Sequence, residues 1–145
     1  MVDRLAFRKL APHLYLQAIP ARVSDADLAA FLAELQRASP TLDRPHAWIA
    51  DFAGIESTTA TQRRMFAEHQ VAVEAVDREH NAGAAIVIPN AMVRGVVTAV
   101  YWIKPPVYPY QFVQRIDEAL VWVTDSLKRR GVSLDAPSLR DDLRR

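Results

Sequence analysis

Three short runs that carry almost no charge, at residues 46–52, 84–88 and 107–113, are separated by two segments whose apolar residues recur at helical spacing. A short uncharged run reads as a strand covered on both faces, and strands alternating with helices specify a largely parallel sheet with crossover helices packed against it. Asp51 falls at the end of the first run, as a polar residue does where a strand leaves the core.

The remaining segments fit the same plan. Residues 5–10 and 13–19 alternate with period two around Pro12, which predicts an N-terminal β-hairpin. Ser24 precedes an apolar stripe at Leu28, Phe31, Leu32 and Leu35, with Asp25 and Asp27 in the first turn, and Ser39-Pro40 ends the helix so defined. A long helix follows over 61–80, with Met65, Phe66, Ala72, Val73 and Val76 as its stripe. Asn90 caps a helix over 91–103, and a last helix opens at Asp117 and closes on Lys128, Arg129, Arg130 and Gly131. The expected fold is α/β: a mixed, mostly parallel sheet with an N-terminal hairpin and about four helices in one domain over residues 1–131. Residues 132–145 are expected to form a flexible polar tail.

A chain of 145 residues buries enough surface to fold without staples, and it has no cysteine. Thiolate metal sites, iron–sulfur clusters and cysteine nucleophiles are thereby excluded. A formal charge of +1 argues against a nucleic-acid partner, and the basic excess near the C-terminus reads as a solvated end. The first ten residues lack the apolar core of a signal peptide, and the most apolar window, 84–103, is interrupted by Pro89, Asn90 and Arg94. The expectation is a protein without a membrane span, located in the cytoplasm.

Catalytic and metal motifs are missing. Four glycines form no nucleophile elbow, P-loop or dinucleotide fingerprint. His69 and His80 lie about 16 Å apart along one helix, too far to share an ion, while His13 and His46 stand at a turn and a strand start. Asp51 stands where α/β proteins often keep chemistry, yet alone it defines no mechanism. No cofactor, metal or catalytic residue is assigned.

The helix at 91–103 is apolar all round. Met92, Val93, Val96, Val97, Val100, Tyr101 and Trp102 exceed what one sheet face needs to cover, and Tyr108 and Tyr110 follow directly. These nine residues are the candidate surface for a protein partner, for self-association or for an apolar ligand. A core sealed by the hairpin and the C-terminal segment would also account for them.

The element order, together with the segment Ala85 to Ile103 and the following Pro105-Pro106 to Phe112, resembles the SpoIIAA-like branch of the STAS fold over residues 1 to about 130. STAS domains include anti-sigma-factor antagonists and transporter regulatory domains, and the same broad shape recurs in CRAL-TRIO lipid carriers. The resemblance implies a non-enzymatic bacterial regulatory protein acting by protein contacts. Its alternative implication is an apolar-ligand or lipid-binding module. Phosphorylated antagonists carry an Asp-Ser-Ser-Gly-like run before the helix that follows the third strand. Here that stretch departs from the pattern and offers Ser57, Thr58, Thr59 and Thr61 as candidate phosphoacceptors, with helix capping as the simpler role.

Overall fold

The computed structural model describes residues 5–56 and 58–144. Five strands, β1 (Ala6–Ala11), β2 (Leu14–Ala18), β3 (His46–Asp51), β4 (Asn81–Val87) and β5 (Tyr110–Val113), lie in one sheet in the order of the chain. β1 pairs antiparallel with β2, and every later pair is parallel. The helices are α1 (Asp25–Ala38), α2 (Ala60–His80), α3 (Ala91–Ile103), α4 (Ile116–Lys128) and α5 (Ala136–Arg144).

Neighbouring parallel strands joined by crossovers of one hand place successive crossover helices on one face. Leu28, Phe31, Leu32 and Leu35 of α1 and Val93 and Val97 of α3 accordingly share a core with Tyr15, Trp48 and Ile86 of the sheet. The other face, with Leu14, Ile49, Ala85 and Val87, packs on Ala119, Leu120, Val123 and Leu127 of α4. The mixed, mostly parallel α/β arrangement with its hairpin is thus present.

Local chemistry sets the ends of these elements. Ser24 Oγ accepts the Asp27 N–H at 3.1 Å and starts α1. The hairpin turns through His13, whose φ of 71° is left-handed, a region polar side chains enter more readily than apolar ones. Its backbone N–H donates to Asp43 Oδ2 at 2.8 Å and its ring Nδ1 to the Pro45 carbonyl at 2.6 Å, so the turn is anchored to the segment before β3.

Several boundaries differ from the sequence expectation. β4 starts at Asn81, directly after α2, because the Asn81 side chain accepts the Gly83 N–H at 2.9 Å and turns the chain without a loop. β5 begins at Tyr110 instead of residue 107, since Pro105, Pro106 and Pro109 have no N–H for a ladder. The inward side of α2 also differs: Gln62, Ala67 and Val73 are buried, whereas Ala72 is exposed. The segment read as a flexible tail contains α5. Asp135 Oδ1 accepts the Ser138 N–H at 3.3 Å, Pro137 sits in the first turn where it costs no hydrogen bond, and Leu139 is buried on the α4 side. Leu134, Leu139 and Leu143 supply the apolar anchors among the charges.

Candidate functional site

The sheet face beneath α2 is uneven. Alternation along the strands points Gln17, Trp48, Ala50, Ala84 and Ile86 to this side, and the register sets Trp48 beside Ala84 and Ala50 beside Ile86. The two alanines leave space that α2, with Phe66 and Val73 as its apolar residues at this place, fills only in part. Of its 21 residues only Gln62, Ala67 and Val73 are buried, and it packs chiefly on α1 and α3. A partly enclosed cavity of about 100 Å³ remains between α2 and the sheet. An engineered closed apolar cavity of roughly 150 Å³ holds benzene; this space is smaller but only partly enclosed, so a ring would be covered in part.

Leu32 and Leu35 of α1 and Val96, Val97, Val100 and Tyr101 of α3 form the walls. The roof from α2 sets the polar His69, Gln70 and Asp77 beside the apolar Phe66 and Val73. Gln36 Nε2 lies 3.4 Å from His69 Nδ1, and an amide nitrogen only donates, so the neutral ring keeps its proton on Nε2. Burial favours that neutral form by holding the His69 pKa below its ordinary value, and Asp77 opposes the shift. Gln70 Oε1 is buried with no hydrogen-bond partner.

Asp77 Oδ1 accepts from Asn81 Nδ2 at 3.3 Å and stands 3.8 Å from Nε2 of His46, which is completely buried. His46 Nδ1 donates to the Asp43 carbonyl at 3.0 Å, and its Nε2 is buried without a hydrogen-bond partner. Tyr108 and Tyr101 are pushed above the ordinary phenol range, first by burial and then, for Tyr108, by Asp77 and, for Tyr101, by Tyr108 and Tyr110. Both phenols keep their protons. Among the described residues the lining holds one carboxylate, Asp77, and neither lysine nor arginine.

The residues singled out on and just after the third helix divide among three places. Val93, Val97 and Val100 are buried in the core, while Val96, Tyr101 and Tyr108 are partly buried at the cavity. Met92 and Trp102 point outward, each 82% exposed, and Tyr110 is exposed at β5 with its ring edge-on to Tyr101 at 5.0 Å. Helical spacing sets Gly95, Ala99 and the exposed Ile103 on the face of Met92 and Trp102, making an outward strip without charge.

The hydroxyls before α2 are arranged as caps. Thr59 Oγ1 accepts the Gln62 N–H at 3.0 Å and Gln62 Oε1 accepts the Thr59 N–H at 3.4 Å, a complete capping box. Thr58 receives Arg63 Nη1 at its carbonyl, 2.7 Å away, Thr61 is exposed, and Ser57 lies outside the described residues. Asp51 Oδ1 accepts the Ala53 N–H at 3.1 Å, bracing the loop at the carboxyl end of β3.

Sequence reading missed Gln70, Asp77, Asn81 and the burial of His46. The available signal was the spacing of Phe66, Gln70, Val73 and Asp77, which share a side of one helix, and the alternation of His46 with Trp48.

Among the described residues no cluster of three potential ligands could hold a metal ion, and no helix is long and apolar enough to cross a membrane. No family model and no curated protein matches the chain. A solved structure is similar: an anti-sigma-factor antagonist (STAS) domain protein from Planctomyces limnophilus, aligned with a TM-score of 0.57 and 10% identity over 83% of this chain and 99% of that one. At that identity the likeness shows the fold, which is STAS/SpoIIAA-like.

Proposed function

We propose that this chain is a non-enzymatic regulatory module that works through protein contacts, with the outward strip of α3 as its docking surface. The observation that carries the reading is the pair Met92 and Trp102, each 82% exposed on one uncharged face. Large apolar side chains exposed together characterise interaction surfaces, and tryptophan is enriched at binding hot spots. Similarity to an anti-sigma-factor antagonist domain supports a regulatory role of this kind. A photo-crosslinking residue at position 103, tested in the native host, is expected to give one reproducible protein adduct that Met92→Glu and Trp102→Glu abolish. Both positions face solvent, so the substitutions are expected to leave the circular dichroism unchanged. Absence of any adduct, or adducts indifferent to both substitutions, overturns the docking surface.

Phosphorylation near the start of α2 belongs to the same reading, with Thr59 and Thr61 both exposed and Thr59 engaged as the helix cap. Phosphopeptide mapping of residues 54–64 from the native host tests it, and an unmodified peptide across growth conditions counts against it.

The cavity beneath α2 favours a second reading, a module for a small apolar ligand. A concave, mostly apolar space with a few convergent polar groups is the usual form of a ligand site. Native mass spectrometry after exposure to ring-sized apolar compounds is expected to show an adduct with the wild type. Ala84→Val, which adds bulk to the cavity floor, is expected to lose it; equal uptake by the variant removes the cavity from consideration.

A further inference from the structure

Resting on the second reading, we propose that the cavity beneath α2 selects a small apolar molecule bearing an amine and rejects the carboxylate of the same size. The unmatched chemistry of the roof carries this. Gln70 Oε1 is a buried acceptor without a donor. Asp77 is a carboxylate with one bond, from Asn81, and its side chain is only 12% exposed. His46 Nε2 stands 3.8 Å from Asp77 Oδ1, beyond hydrogen-bonding distance, so Asp77 receives no bond from that ring.

A site whose unsatisfied atoms are acceptors is matched by a ligand that donates. An ammonium group brings up to three donors and a charge opposite to that of Asp77. The rings of Trp48 and Tyr108 at the same cavity add faces that attract cations. A carboxylate would meet Asp77 with like charge and no compensating cation, since the described lining contains neither lysine nor arginine. The donors of the lining, the His69 Nε2–H with phenols, hydroxyls and side-chain amides, do not neutralise it.

The test titrates the full chain with benzylamine, toluene and benzoate, followed by chemical-shift changes in the amides of β4 and α2. Benzylamine is expected to bind at least about tenfold more tightly than toluene, a margin that one charge-assisted hydrogen bond supplies, with benzoate the weakest. Asp77→Asn and Gln70→Leu are expected to bring benzylamine and toluene to within about twofold of each other while toluene binding persists, which reports selectivity separately from folding. Equal binding of all three compounds, or preference for benzoate, overturns the amine selectivity and leaves an apolar-ligand site standing. Binding of none overturns both. A preference for benzylamine unchanged in both variants also overturns the proposal, because the roof then plays no part in selection.

Discussion

Nε2 of His46 faces Oδ1 of Asp77 at 3.8 Å across the junction of β3 and α2, close enough for electrostatic influence and too far for a hydrogen bond. Removing one partner from a tight buried ion pair costs about 3–5 kcal/mol. The separation predicts a much smaller cost: Asp77→Asn, which keeps the shape and the bond to Asn81, is expected to change stability by less than about 1 kcal/mol at neutral pH. His46→Ala is expected to cost about 2–4 kcal/mol, because it opens a void and strips the donor from the Asp43 carbonyl. Urea unfolding of both variants measures the contrast, and equal large losses would show a tight ion pair.

Gly83 has a φ of 154°, and a Cβ added there would stand 2.7 Å from Cη2 of Trp122. Neither the backbone nor the indole ring can yield without disturbing β4 or α4. Gly83→Ala is therefore expected to destabilise the fold by roughly 2–4 kcal/mol. Gly95→Ala is the control: an added Cβ meets nothing within 4 Å, so this variant is expected to match or exceed wild-type stability in the same denaturation experiment.

Loss of the capping box has a defined size. Thr59→Ala removes the acceptor for the Gln62 N–H and is expected to cost about 1 kcal/mol, whereas Thr59→Ser should be close to neutral. Hydrogen exchange in the first turn of α2 should accelerate in the alanine variant.

Acid stability should depend on Asp43. Lys9 Nζ, hydrogen-bonded at 2.8 Å, and next the His13 backbone N–H hold the Asp43 carboxyl below its ordinary range. The unfolded chain therefore takes up this proton first, so the contribution is complete above about pH 4 and is lost as pH falls through the lower folded value. Asp43→Asn should flatten the acid limb of the stability curve below about pH 4 and leave its shape between pH 6 and 8 unchanged. An unaltered acid limb in urea titrations would remove Asp43 from the account.

How far the sequence revealed the molecule depended on whether the deciding interaction was local. Helix α1 was legible because Ser24 caps it and Leu28, Phe31, Leu32 and Leu35 line one side within the same 14-residue segment. The parallel strands were legible from their lack of charge. The cavity was not, because it arises from what Ala50 and Ala84 fail to fill once they face a helix whose inward side carries Gln70 and Asp77. Those residues look like solvent-exposed positions until α1 and α3 hold their helix above the sheet. α5 was hidden for a similar reason: Leu139 and Leu143 are too few to mark a helix among charges until α4 offers a surface. On α3 the excess of apolar residues was visible, but only the fold divides it into core, cavity wall and outward strip.

The sequential strand order also sets a timetable for synthesis. Each new strand pairs with the one made just before it, and α1, α2 and α3 join the same side as the chain lengthens. Leu14, Ile49, Ala85 and Val87 on the opposite side have no cover until α4 has left the ribosome. A chain halted before residue 116 would carry a formed sheet with one greasy side bare, a surface that chaperones retain or that drives aggregation. The last fifth of the chain thus decides whether the earlier part becomes a soluble product.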